Sequence, residues 1–178
     1  MGSVVIDLTE PEFDKDKDEH KDITPNKEFA KDPTVTNTGI NDAFVFIKFS
    51  IPKENVTVAN QDGTKGTKAV QELFDYTIAN GWVKVAENKS GSDVNTYVYA
   101  YAAGGNCTPL AADKSAPVLF DDSKVTFKNV IEGEGLEGTT LNIPVYAYGI
   151  QTTDLTGSDV TTPSAVWEVL ANQQGVTL

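Results

Sequence analysis

Residues 43–51 read AFVFIKFSI and decide the fold class of this chain. Apolar residues recur at every second position, which is the period of a β-strand with one buried face. One face carries only large apolar side chains, those of Val45, Ile47, Phe49 and Ile51. The other face mixes aromatic with polar side chains, those of Phe44, Phe46, Lys48 and Ser50. We expect a core strand whose second face is either partly covered by a loop or available to another chain.

Similar extended patterns occur along the chain, separated by turn residues, at residues 4–8, 33–37, 97–102, 118–120, 124–131 and 139–151. Pro52 is expected to end the central strand. Pro144 is expected to place the last strand at a sheet edge or a bulge. Residues 73–79 and 82–86 flank Asn80-Gly81, the dipeptide that favours a type I′ turn, so we predict a β-hairpin there.

One helix is predicted near the end of the chain. Thr162 can cap it, Pro163 suits the first helical position, and the pattern ends at Asn172. Its apolar stripe consists of Val166, Trp167, Val169 and Leu170. Together the patterns predict an all-β fold, an antiparallel β-sandwich of jelly-roll type with one short C-terminal helix, as a single domain over residues 1–178. The predicted core contains Val45, Ile47, Phe49, Val98, Val125, Phe127, Val145 and Trp167.

Acidic and lysine side chains crowd residues 10–22, where Phe13 is the only aromatic. Because such a segment buries little apolar surface, we expect a mobile charged loop. Asp14, Asp16 and Asp18 alternate like the first ligands of a calcium loop, but the Gly and Glu that complete an EF-hand are missing. A solvated charge run is the preferred interpretation, and weak calcium binding stays an alternative. His20 is the only histidine, and without further ligands it predicts no zinc site and no other cofactor.

The composition excludes several classes of function. The formal net charge is −12, and all 14 basic residues are lysine, which argues against binding to nucleic acid or to an anionic membrane surface. The sequence has no apolar stretch long enough to span a membrane. Cys107 is the only cysteine, so it predicts an inert, partly buried thiol and excludes an intramolecular disulfide. Met1-Gly2-Ser3 leads directly into a strand pattern, and we expect that an export signal was removed.

Alternating tyrosines leave one ligand-binding alternative open. Tyr97, Tyr99 and Tyr101, together with Tyr146 and Tyr148, could line a sugar-binding face. Core packing is the preferred interpretation, because alternating aromatics are ordinary strand formers. The acidic pairs at 121–122 and 132/134 carry no catalytic signal in so acidic a chain, and no catalytic residue is predicted.

Residues 31–39, KDPTVTNTG, followed by Asn41-Asp42-Ala43-Phe44-Val45, resemble the TasA/camelysin family. Further similarity lies in residues 5–11, 72–82, 147–152 and 165–167. Members of this family are exported by Gram-positive bacteria through a dedicated signal peptidase. The resemblance implies a jelly-roll subunit of biofilm-matrix or cell-surface fibres, in which the N-terminal segment of one subunit completes a sheet of the next.

We expect a secreted structural protein of the extracellular matrix or cell surface, not an enzyme, that associates with itself and with other matrix or surface proteins. The predicted assembly strand is Val4, Val5, Ile6, Asp7 and Leu8. The family normally carries a short segment before this strand. We expect the present chain to lack this segment and therefore to be mainly monomeric, with its first strand paired internally. A camelysin-like surface metalloprotease and a carbohydrate-binding surface module are the alternative functions.

Overall fold

The computed structural model describes residues 4–15, 23–137, 139–155 and 160–178. The first half of the chain forms β1 (Ile6–Thr9), α1 (Pro11–Lys15), β2 (Glu28–Ala30), β3 (Thr34–Asn37), β4 (Ala43–Val56), β5 (Ala69–Glu72) and β6 (Phe74–Asp75). The second half forms β7 (Trp82–Asn88), β8 (Val94–Ala103), β9 (Asn106–Cys107), β10 (Lys124–Phe127), β11 (Val145–Gln151) and α2 (Pro163–Gln174). All pairings between these strands are antiparallel, which confirms the all-β fold.

The larger sheet is built around β4. Its strand order is β11-β4-β8-β7, with β5 added to β4 and β9 added to β8. Phe49 marks the register, because it lies opposite Val145 of β11 and Tyr97 of β8. Strand β11 begins directly after Pro144 and is an edge strand, as the proline predicted.

The smaller strands form the second layer of the sandwich. Strands β2, β10 and β6 form one sheet, and β1 pairs with β3 in another. The apolar face of β4 packs against both of these sheets in one core cluster. Of the eight predicted core residues seven are buried, and Val145 is only half-buried at the start of the edge strand.

Helix α2 covers the part of the opposite face of β4 that carries Phe44 and Phe46, where the sequence predicted a loop or another chain. Phe44 and Phe46 are buried there, and the ring of Trp167 lies 5.4 Å from that of Phe46. Helix α2 runs two residues beyond the predicted end, to Gln174, because Gly175 takes the left-handed conformation and donates its N–H to Ala171 O. Thr162 occupies the N-cap position, but its side chain makes no capping hydrogen bond.

Pro52 does not end the central strand, contrary to the prediction. Strand β11 pairs with β4 as far as Phe49, and β5 pairs with β4 from Lys53 onward. Pro52 lies between these two ladders, so its missing N–H costs no ladder hydrogen bond. Its carbonyl accepts a hydrogen bond from the N–H of Leu73 at 2.9 Å.

The hairpin predicted at Asn80-Gly81 is also wrong. Gly81 has a φ of 96°, but Asn80 has no positive φ, whereas a type I′ turn needs both. Residues before the turn contact the smaller layer, where Ala79 N donates to Leu119 O at 2.8 Å. Residues after it pair with β8 in the larger sheet. The dipeptide therefore carries the chain from one layer to the other.

Candidate functional site

The predicted assembly strand lies at the margin of the second layer and pairs within its own chain. Strand β1 pairs with β3, with Leu8 opposite Val35 and Asp7 opposite Thr36. Residue Val5, just before β1, accepts backbone hydrogen bonds from Thr38 and Gly39 at 2.8 and 3.0 Å. The alternation predicted from the sequence holds, because Ile6 and Leu8 are half-buried and Asp7 is exposed.

Strand β1 also covers the edge strand of the larger sheet. A Cβ atom added at Gly149 of β11 would lie 2.9 Å from Ile6 Cγ2 and 3.2 Å from Val4 Cγ1. The absence of a side chain at Gly149 therefore allows β1 to approach β11 closely.

Immediately after β1, a buried ion pair fastens the chain to the sandwich. Lys31 is only 4% exposed, and its Nζ lies 3.0 Å from Glu10 Oε1 and 4.2 Å from the centre of the Phe13 ring. The neighbouring Asp32 is also 4% exposed, and its carboxylate accepts hydrogen bonds from the N–H groups of Glu12 and Phe13 at 2.9 and 3.1 Å. We call Glu10, Lys31 and Asp32 the N-terminal clasp.

The clasp corrects the prediction of a mobile loop for part of residues 10–22. Residues 11–15 form helix α1, because Asp32 supplies acceptors for N–H groups that lack helical partners in the first turn. Asp14 lies in this helix, and its N–H donates to Glu10 O at 2.9 Å. The other two candidate calcium ligands, Asp16 and Asp18, and the single histidine, His20, lie outside the described residues.

Burial dominates the electrostatics of Glu10. Desolvation raises the pKa of its carboxyl above the ordinary value of 4.5, even though the ammonium of Lys31 acts in the opposite direction. The ion pair therefore only partly offsets the cost of burying the carboxylate.

Asn37 is a structural residue whose role sequence reasoning missed. Its side chain is fully buried, and Nδ2 donates to the carbonyls of Asn41 and Leu110, both at 2.8 Å. Its Oδ1 accepts from the N–H of Gly39 at 3.0 Å. These bonds fix the turn that leads from β3 into β4. The only sequence signal was the position of Asn37 inside the block that resembles the TasA/camelysin family.

A cavity of ≈ 1140 Å³ lies beside β2, and we call it the β2 cavity. Phe29, Phe74, Val125 and Phe127 from the three-stranded sheet line one wall. Segments before β2 and after β10 supply further apolar side chains, those of Phe13, Ile23, Val130, Leu136, Leu141 and Ile143. The remaining lining includes Lys31, Glu132, Glu137, Thr139, Thr140 and Asn142. No sequence pattern predicted this space.

The five tyrosines do not share one face. Tyr97 and Tyr99 lie 5.6 and 5.8 Å from the ring of Phe49, inside the sandwich. Tyr148 lies on the opposite side of the larger sheet, 5.8 Å from Trp167. The five tyrosines therefore do not form the single sugar-binding face considered from the sequence, and Tyr146 is 52% exposed.

Other reactive side chains are held in ordinary surroundings. Cys107 is buried, more fully than expected, and burial raises the pKa of its thiol to about 11. Within residues 4–15, 23–137, 139–155 and 160–178, no three His, Cys, Asp or Glu side chains are grouped so that they could hold a metal ion. In the same described ranges, no helix has the length and apolarity needed to cross a membrane.

Comparison of the chain with protein-family models, curated proteins and solved structures gave no match.

Proposed function

We propose that this protein is an extracellular structural subunit whose copies join into matrix or cell-surface fibres by strand exchange. In the joined state, β1 of one copy pairs with β3 of the next copy. The observation that carries the proposal is the position of β1, a short marginal strand whose ladder is formed with β3 alone among the described strands. A strand held in this way can be replaced by the same strand of a neighbour.

In the proposed assembly, β1 makes the same contacts with β3 of a neighbouring copy as it makes with β3 of its own chain. In both cases Ile6 and Leu8 turn inward, and Ile6 fills the space above Gly149. The two states therefore differ mainly in the entropy of association and in any additional contacts between neighbours. Residues preceding β1 in the family would supply such contacts.

Composition and resemblance support the extracellular assignment. A net charge of −12 favours a soluble, well-separated subunit before assembly. The similarity of residues 31–45 to the TasA/camelysin family points in the same direction, and within this block Lys31 and Asp32 hold the segment that follows β1.

Two variants, each with one added cysteine, test the exchange directly. Asp7→Cys and Thr36→Cys place one thiol on each side of the β1–β3 ladder, in separate chains. After the two variants are mixed at high concentration and oxidised, a disulfide between residues 7 and 36 requires β1 of one copy to pair with β3 of the other. We expect a covalent heterodimer on a non-reducing gel, with the 7–36 linkage found by peptide mass spectrometry. The native Cys107 is buried and does not compete.

The matched control uses Asp75→Cys and Thr126→Cys, which face each other across β6 and β10. These strands are not proposed to exchange, so this mixture should give only the background of random disulfides. Equal yields from the two mixtures would refute strand exchange at β1.

A further inference from the structure

The β2 cavity is a feature of the described chain that the proposed function does not use. Its volume of ≈ 1140 Å³ lies slightly above the range of about 300–1,000 Å³ that is typical of small-ligand pockets. Its walls are mainly aromatic and aliphatic, and four phenylalanines contribute to them: Phe13, Phe29, Phe74 and Phe127. Surroundings of this kind favour an apolar occupant.

The polar groups of the cavity restrict the class of occupant. Lys31 is the only lysine among the described lining residues, and its ammonium already faces Glu10 and the Phe13 ring. Glu132 and Glu137 are exposed and place negative charge at the mouth. Among the described residues of the lining, an anionic head group would meet these carboxylates with no second lysine to offset them.

The backbone around the cavity also argues against a peptide occupant. Strand β2 has only three residues, and it uses Phe29 to pair with Val125 of β10. By alternation, only Glu28 and Ala30 direct their N–H and C=O groups to the outer edge of the strand. A peptide threaded through the apolar interior would therefore leave most of its own N–H and C=O groups unpaired, whereas an alkyl chain has none to satisfy.

We propose that the β2 cavity binds a single-chain lipid with an uncharged head group, such as a fatty alcohol or a monoacylglycerol. The acyl chain lies among the phenylalanines, and the head group lies at the mouth near Thr139 and Thr140. This binding site lies apart from the β1–β3 ladder, and Phe13, which follows β1 in the chain, contributes to its wall.

The binding test uses the neutral fluorescent probe N-phenyl-1-naphthylamine and its displacement by 1-dodecanol, dodecanoate and a peptide with the sequence of residues 4–9. We expect saturable binding of one probe per chain. We also expect 1-dodecanol to displace the probe at a concentration at least tenfold lower than dodecanoate requires. The peptide should leave the probe bound. Displacement by dodecanoate at a lower concentration than 1-dodecanol requires would overturn the assignment of an uncharged head group. Displacement by the peptide alone would assign the cavity to a protein strand and overturn the proposal.

A cavity-filling variant locates the site without removing core side chains. Thr140 is exposed and lines the cavity, so Thr140→Trp should block probe binding while the protein stays folded by circular dichroism. Thr153→Trp, at an exposed threonine outside the lining, is the matched control and should bind normally. Ala30→Phe adds bulk at a second residue of the lining and should also block binding. Unchanged binding in both cavity variants, or no binding by the wild type, would refute the site.

Discussion

The ammonium of Lys31 lies 3.0 Å from the carboxylate of Glu10, and this contact joins the residue that follows β1 to the connection between β2 and β3. Both side chains are largely removed from water, at 5% and 18% exposure. The contact therefore makes the attachment of the N-terminal strand sensitive to the protonation of one carboxyl group.

The pH dependence of stability should report on Glu10. Its pKa is raised in the folded state above the ordinary 4.5, so the ionised carboxyl is less favourable in the folded chain than in the unfolded chain. Its contribution to stability should increase as the pH falls through the folded pKa, and be complete below the unfolded pKa. The free energy of unfolding of the wild type, relative to that of Glu10→Gln, should therefore increase as the pH is lowered.

Glu137 provides a control of opposite sign. A hydrogen bond from the N–H of Gly133 lowers the pKa of its carboxyl. The contribution of Glu137 should therefore be present above the unfolded pKa and lost as the pH falls through the folded pKa. Urea unfolding of wild type, Glu10→Gln and Glu137→Gln across acidic pH measures both slopes. The same slope in both variants would contradict the assignment.

Asp32→Ala should destabilise the protein by about 2–3 kcal/mol, because it removes a charged acceptor from two backbone N–H groups of α1. Equilibrium urea unfolding measures this change. Asp93→Ala, at an exposed aspartate, should stay within about 0.5 kcal/mol of wild type. Equal effects of the two changes would show that Asp32 does not hold the helix.

Gly149→Ala should weaken the attachment of β1 by about 1–3 kcal/mol, because the new Cβ meets the branched Ile6 side chain at 2.9 Å. Amide hydrogen exchange should show faster exchange in β1 and β3 than in β8. Adding Ile6→Ala removes Cγ2 and should recover part of the protection of β3. Lack of any recovery would mean that Gly149 acts through another contact.

Phe49→Ala should cost about 3–5 kcal/mol, as large-to-small core substitutions do. The Phe49 ring is fully buried and lies within 5.1–5.8 Å of Tyr76, Tyr97, Tyr99 and Phe120. Val145→Ala, at the half-buried edge position opposite Phe49, should cost clearly less. Urea unfolding measures both, and a loss below about 1 kcal/mol for Phe49→Ala would contradict its place in the core.

Locking β1 in place should prevent assembly. In one chain, Asp7→Cys with Thr36→Cys can form a disulfide across the β1–β3 ladder. At high protein concentration, we expect light scattering and electron microscopy to show less association of the oxidised double variant than of the wild type, and wild-type association again after reduction. Fibres from the oxidised protein would exclude exchange of β1 as the assembly step.

Local sequence patterns correctly predicted the elements in which buried side chains recur with the period of the strand or helix itself. The alternation in residues 43–51 and 97–102 identified β4 and β8, and the apolar stripe with Pro163 identified α2. These elements pack on the core through side chains that recur along their own sequence, so the pattern and the structure agree.

The errors arose where distant residues decide the local structure. Helix α1 depends on Asp32, and the continuation of β4 through Pro52 depends on where β11 ends and β5 begins. The sequence around α1 does not indicate the contact with Asp32, and the sequence around Pro52 does not indicate where β11 and β5 pair with β4. The β2 cavity has the same origin, because its walls come from separate parts of the chain and no local pattern reports on the space between them.

The turn at Gly81 has a consequence for how fast this protein folds. Because the chain passes there from one layer to the other, the consecutive strands β6 and β7 pair with different partners, and β10 must find the distant β2, with Lys124 opposite Ala30. Such pairings close long loops before any contact stabilises them, so folding should be slow compared with that of a helical protein of equal length. Neither layer is contributed by one continuous segment, so we expect the two layers to form together in a single cooperative transition.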